Sequence, residues 1–470
     1  MAEKFENIIV GTGISGLVCG GYLAKSGQKT LLLDKDKVVG GRWHHLPMGD
    51  ATVVMHLPLI MSSLQGGFWS VAAKDLGADI RQKYSKEPRL LITGDRSCII
   101  DIPRVMSIPG VTDWSMDYLQ SMANEKLPVD LRPELFKLWF EILSMPFLEM
   151  ADAYAELTLK EYFEPRASNP YVRRLFSSLS ASMCFMGSAD LAWDYASAGK
   201  TFVMIRAWVA GEGSTVAPHP NLIEGIAQPF ARAIEALGGE IRLQHVVEEV
   251  LVENGKAVGV RVRNQDGEQV IHADRVIVTA SWLQVEKLFK EVPADIQKAL
   301  ARPKTIHRAG AFLVSVLDKT VNHEPGFVLV TDAETGDNVG GIFNQSEELP
   351  WTVPAGKQLI WMYYLDDLEE IKKKDLDALV ANKLNPMIEA VYPGFLEAPK
   401  WQKFFYSEAG SHNGLSGGPK VSAKSPDVEN LYFAGDGTKP NYAAISDGAA
   451  STGMAVAKMI LGVEKLGLLS

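Results

Sequence analysis

A short apolar run from Phe5 to Val10 is followed by Gly11, Gly13 and Gly16, and then by apolar residues at helical spacing from Ile14 to Ser26. This pattern predicts a buried strand, a tight glycine turn and a helix, with Gly27 as the C-terminal cap. A second apolar run, Lys29 to Leu33, predicts the next strand and ends at Asp34. In the middle of the chain, Glu240 to Val252, the turn Glu253-Asn254-Gly255 and Ala257 to Val262 read as a β-hairpin. A further buried strand is expected from Ala273 to Ala280. Near the end, Leu431 to Ala434 reads as a buried strand running into Gly435-Asp436-Gly437, and a helix is expected from about Ser446 to Ile460. That helix is dense in small residues (Gly448, Ala449, Ala450, Ser451, Gly453, Ala455, Ala457), which permits close approach of a neighbour.

Between these segments the periodicity changes. Residues 76–212 read as mostly helical, with helices over Leu131 to Met145, Met150 to Phe163 and Tyr171 to Met183 punctuated by prolines. Residues 286–424 combine strands at Arg308 to Leu317, Gly326 to Val330 and Gln358 to Leu365 with a charged helix near Asp366 to Tyr392.

Composition adds limits. A chain of 470 residues exceeds one ordinary core, and 47% hydrophobic with 22% charged residues is the balance of a globular enzyme. A net charge of −10 and the lack of a concentrated basic patch argue against a nucleic-acid partner. Three well-separated cysteines (Cys19, Cys98, Cys184) suggest neither a disulfide framework nor a zinc site, so a reducing cytoplasm is the expected compartment. No run of 18 apolar residues occurs, and peripheral contact with a membrane stays open.

The glycine turn carries the first chemistry. In G-x-G-x-x-G, Gly11 makes the turn, Gly13 lets a diphosphate approach the backbone and Gly16 lets helix and strand pack closely. The first turn of the helix, with Ile14 and Ser15, offers N–H groups to the phosphates. Asp34, with Lys35 beside it, stands about 20 residues on, where a carboxylate accepts from ribose hydroxyls and disfavours a 2′-phosphate. Gly40-Gly41-Arg42 adds a close backbone approach and a guanidinium suited to the same diphosphate. Asp436, after Gly435, has a carboxylate suited to a ribityl hydroxyl, and a helix starting near Ser446, with Ile445 just before it as a further cofactor-binding candidate, would aim N–H groups at the flavin N1/C2 carbonyl. Three distant segments closing on one long ligand point to flavin adenine dinucleotide (FAD).

With these motifs the chain resembles the flavin amine oxidase and phytoene desaturase superfamily over its whole length. The resemblance implies an α/β fold: a glutathione-reductase-like FAD-binding Rossmann domain from residues 1–75, 213–285 and 425–470. An α+β substrate domain would be inserted as residues 76–212 and 286–424. It also implies that the backbone at Val247 meets adenine. Amine oxidases carry a lysine near flavin N5 on the strand matched by residues 307–318, where this chain has none. That places it closer to the desaturases, as does Gly435-Asp436. It departs from them at Met55-His56, where they show Gly-Pro beside the flavin ring.

The expected reaction is therefore FAD-dependent dehydrogenation of an apolar small molecule, cyclic or short, with a quinone-like compound or oxygen as electron acceptor. Amine oxidation and redox-neutral isomerisation are the alternatives. His56 is the candidate base, because imidazole titrates near neutral pH; a structural histidine is the competing reading. Trp43, after Arg42, suits packing around the cofactor as well as catalysis. Arg206 would bind a substrate carboxylate or carbonyl or form an ordinary ion pair, and Tyr442 and His412 are further candidates to orient the substrate. No metal ligand set is expected.

Overall fold

A computed structural model describes residues 3–43, 45–54, 67–84, 89–93, 98–101, 132–145, 153–184, 189–209, 216–218, 221–280, 282–301, 309–324, 327–332, 338–366, 368–407, 421–443, 445–464 and 466. The first part of the chain forms β1 (Lys4–Val10), α1 (Ile14–Lys25), β2 (Thr30–Leu33), β3 (His45–Met48), β4 (Ala51–Val54) and α2 (Gly67–Leu76). The next part holds β5 (Gln82–Tyr84), β6 (Arg89–Thr93), β7 (Cys98–Asp101), α3 (Arg132–Ser144), α4 (Leu159–Phe163), α5 (Pro170–Cys184), α6 (Ala189–Tyr195) and α7 (Ala198–Val209). It returns through β8 (Val216–Pro218) and α8 (Gln228–Ala236) to β9 (Glu240–Arg242), β10 (Val246–Glu253), β11 (Lys256–Asn264) and β12 (Gly267–Val278). Then follow β13 (Ala309–Leu317), β14 (Phe327–Asp332), β15 (Asn338–Asn344), β16 (Gln358–Asp366), α9 (Asn385–Val391) and β17 (Lys400–Ser407). The chain closes with β18 (Val421–Ser422), β19 (Leu431–Phe433), β20 (Thr438–Lys439) and α10 (Ile445–Leu461).

Among the described residues, the first sheet runs β10-β11-β12-β1-β2-β9 with β19 beside β12. Its core, β12-β1-β2-β9 with β19, is parallel. β12 is long enough to change partners, pairing with β11 over its first half and with β1 and β19 over its second. The hairpin β10–β11 turns at Asn254 and Gly255, both at positive φ, as its Asn-Gly sequence requires. Helix α10 crosses α1 at backbone contact: a Cβ on Gly453 would sit 2.4 Å from the Ser15 carbonyl oxygen. The small residues of α10 thus serve this crossing. Cys19 is fully buried on α1, which pushes its thiol up to about 12 and leaves it unreactive.

The second sheet runs β17-β13-β16-β15-β14-β6-β7 and takes strands from both inserted parts of the chain. One face, with Val314, Leu359, Trp361 and Tyr363, packs on the helices α3 to α7. The opposite face, with Leu313, Ile360 and Met362, packs on α9. The described residues of the first insertion are mostly helical, as expected, but they also hold β6 and β7: β6 pairs with β14, more than 200 positions away, and β7 pairs with β6. Met150 to Phe163 is corrected, because Thr158 caps a helix of only five residues there. The charged helix near Asp366 to Tyr392 is broken at Asp375, whose carboxylate accepts from the Ala378 N–H and starts a new turn. Short pairs β3–β4, β5–β8 and β18–β20 complete the described strands. Among the described residues no helix is long and apolar enough to cross a membrane.

Candidate functional site: a dinucleotide cradle at the end of the parallel sheet

The parallel strands β1, β2, β12 and β19 end together, and each delivers a site residue just beyond its C-terminal end: Gly11, Asp34, Thr279 and Gly435. Gly11 has φ 113°, and a Cβ there would lie 2.6 Å from Thr279 Oγ1. Gly16 admits no side chain, since its Cβ would fall 2.2 Å from the Gly11 carbonyl oxygen. Gly13 differs from both. It stands at the N-cap of α1 with no side-chain cap, and a Cβ there would meet no atom within 4 Å. The N–H groups of Ile14 and Ser15 therefore begin a helix whose mouth faces open space, as an approaching diphosphate requires. The turn Gly40-Gly41 closes one side, with a Cβ on Gly41 falling 3.0 Å from the Gly13 Cα.

Asp34 is buried and already well bonded: Oδ2 accepts from the Thr12 N–H and hydroxyl, both at 2.6 Å, and Oδ1 accepts from the Asp36 N–H at 3.0 Å. Thr12 was not expected from sequence; its place inside the glycine motif was the only available signal. The start of β10 is tethered beside this acid through His245 N–H to the Asp34 carbonyl at 2.8 Å. Val247 follows, half-buried, where the β10–β11 register shifts. Lys35 points to solvent and pairs with Asp36. Replacing Asp34 by alanine is expected to weaken FAD binding about 10- to 100-fold, from the worth of hydrogen bonds to a charged acceptor. Fluorescence titration of apoprotein with FAD checks this, and wild-type affinity in the variant would remove Asp34 from the site.

At the other end, Arg42 Nη2 donates to Asp436 Oδ2 at 3.2 Å, although the two are 394 positions apart. Arg42 is half-exposed and the Asp436 carboxylate nearly buried, so the pair lies on the cradle wall. Gly435 has φ 154°, and a Cβ on it would also meet nothing within 4 Å. Asn441 was not foreseen. Its Nδ2 donates to the Asp436 carbonyl and its Oδ1 accepts from the Ala443 N–H, which fixes the turn leading into α10. Ile445 opens that helix at φ 55°, a strained conformation for a β-branched residue, worth about 1–3 kcal/mol. Asp447, fully buried, accepts from the Phe68 N–H and holds the start of α2 against α10.

Trp43 is buried edge-to-face against Trp69 with ring centroids 6.2 Å apart, so packing accounts for it. Tyr442 is half-buried against the same core. Arg206 lies on α7. His56 and His412 lie outside the described residues.

The model of the flavin-containing amine oxidoreductases matches residues 14–461 of this chain. The chain belongs to the flavin-containing amine oxidoreductase family. Prolycopene isomerase of Daucus carota is 23% identical over 523 residues, covering 99% of this chain and 82% of that protein. The crystal structure of an oxidoreductase from Methanosarcina mazei superposes with TM-score 0.70 at 18% identity, covering 96% of this chain and 100% of that one. Putrescine oxidase bound to putrescine superposes with TM-score 0.64 at 15% identity, covering 98% and 99%. The cofactor is FAD, and the open space before Gly13 and Gly435, between α1, Asp34, Arg42 and Asp436, fits a dinucleotide.

Proposed function

We propose that the protein is an FAD-dependent dehydrogenase that introduces a double bond into a largely apolar substrate, cyclic or short. The observation that carries this reading is the apolar wall where α10 begins. Ile445 packs against the cluster of the second sheet and its helices, which includes Phe312, Val314, Trp361, Tyr363 and Phe405. Strand β13, reading AGAFLVSVL, brings no lysine to this wall. Bound FAD would supply a two-electron acceptor, taking hydride at N5. The proton from the neighbouring carbon would go to His56. Strand β4 ends two residues before His56 and is anchored to the second sheet by the buried Gln345. Its Oε1 accepts from the Val54 N–H at 2.9 Å and the Trp361 indole at 3.0 Å, while Nε2 donates to the Thr52 carbonyl at 2.8 Å. Arg206, Tyr442 and His412 are proposed to orient the substrate, and a quinone-like compound to reoxidise the enzyme in preference to oxygen.

A second reading, redox-neutral isomerisation by the reduced cofactor, is supported by the match to prolycopene isomerase over 99% of the chain. Anaerobic flavin bleaching with cyclic ketones, unsaturated lipids, polyenes and amines separates these readings. A dehydrogenase is bleached by its apolar substrate. Bleaching by amines alone, or turnover seen only after prereduction, would overturn the dehydrogenase reading.

A further inference from the structure

Asn344, Gln345 and Ser346 are three consecutive polar residues at the end of β15, and all three are buried. Buried amides and hydroxyls are costly unless they are bonded, and these are. Asn344 Nδ2 donates to the carbonyls of Asn322 at 3.2 Å and Glu324 at 3.0 Å, its Oδ1 accepts from Gln358 Nε2 at 3.1 Å, and Ser346 Oγ accepts from the Leu359 N–H at 3.0 Å. Held in this way on both sides, Gln345 reaches across to Thr52, Val54 and the Trp361 indole. The Thr52 carbonyl only accepts and the two N–H groups only donate, so the amide has one orientation. Among the described residues β4 pairs with β3 alone, and the Gln345 amide takes the place of a neighbouring strand on its edge.

β4 lies where two cores meet. Ala51 and Val53 belong to the cluster of the second sheet and its helices, whereas Val54 belongs to the cluster of α1, α2 and α10. Trp361 stands in the apolar wall, edge-on to Phe312 with ring centroids 6.0 Å apart and to Phe343 at 5.6 Å. One buried side chain therefore holds both the strand that follows Arg42 and the indole of the wall. We propose that Gln345 is a positioning residue: by fixing the edge of β4 against Trp361, it sets the space in which an apolar cyclic hydride donor meets the flavin. The inference rests on the reading above that this wall is the substrate side of the flavin.

The test uses N-benzyl-1,4-dihydronicotinamide, a small cyclic apolar hydride donor, mixed anaerobically with the FAD-loaded protein in stopped flow. Its C4 hydride passes with the bonding electron pair to flavin N5 and the ring leaves as an aromatic pyridinium, so no base takes part. Rates per bound flavin are followed against donor concentration for wild type, Gln345→Met and Gln345→Glu. Gln345→Met is expected to keep FAD and to lower the limiting rate about 10- to 100-fold, with a smaller change in the half-saturating donor concentration. A side chain that served the fold alone would lower the melting temperature and the flavin content and leave the rate per bound flavin as it was. In Gln345→Glu, burial raises the carboxyl pKa; the protonated form restores all three bonds, its O–H donating to Thr52, while the ionised form sets an oxygen against that carbonyl. The rate of this variant relative to wild type should therefore fall as pH rises from about 6 to 9, and it carries the test if Gln345→Met does not fold. A wild-type limiting rate in Gln345→Met, or a Gln345→Glu ratio that does not fall with pH, would overturn the inference. Bleaching by amines alone overturns the dehydrogenase reading without touching these rates, and equal rates here overturn the positioning role without touching that reading.

Discussion

Gly13→Val is expected to yield folded protein that purifies without colour. The backbone at Gly13, φ −64° and ψ 170°, is ordinary for any L residue, and the added Cβ would enter space with no atom within 4 Å. The fold therefore tolerates the change. The same space is where the diphosphate is expected to approach the first N–H groups of α1, and a branched side chain would fill it. Gly16→Val makes the contrast, because a Cβ 2.2 Å from the Gly11 carbonyl oxygen pushes helix off strand and threatens the fold itself. Flavin absorbance together with thermal unfolding separates the two: Gly13→Val should lose colour and keep its melting transition, and Gly16→Val should lose both. Full flavin content in a folded Gly13→Val protein would sink the cradle described here.

The second large effect is expected at His56. General-base catalysis is typically worth on the order of 10²–10⁴ in rate. His56→Ala should slow anaerobic flavin reduction by substrate within that range while FAD stays bound, and His56→Asn should behave alike despite its similar size. Stopped-flow absorbance across pH is the measurement. Wild-type rates in both variants would return His56 to a packing role and shift attention to Arg206, Tyr442 and His412.

Much of the cofactor cradle was legible before the fold was known, for a physical reason. A nucleotide diphosphate is bound by backbone, and backbone contact demands glycine at fixed spacing. Gly11, Gly13 and Gly16, and the carboxylate of Asp34 after the second strand, therefore stand out by identity and spacing alone as candidates for that contact. The parallel strands were legible because burial on both faces leaves continuous apolar runs such as IIV and TLLL. The hairpin at Asn254-Gly255 was legible because only certain residues accept positive φ at both turn positions.

What only the tertiary structure decided depends on pairs far apart in the chain. The β6–β7 pair follows no local signal strong enough to overrule its helical surroundings, because its stability comes from the edge of β14. Gln345 reads as an ordinary polar residue, yet it is fully buried with partners on β4 and β16, and only the fold brings Val54 of β4, 291 positions away, within its reach. Arg42 and Asp436 were each expected at the cofactor, but their direct contact required both ends of the chain to meet. Lys200 shows the limit most plainly. A lysine in an apolar run gives no sequence signal of a partner, and the Ala443 carbonyl that it donates to lies 243 positions away. The sequence by itself determined the nucleotide-binding backbone, whose chemistry is local; the tertiary structure alone decided which buried polar groups meet around it, because desolvated charges and amides take their meaning from neighbours that the chain brings in from a distance.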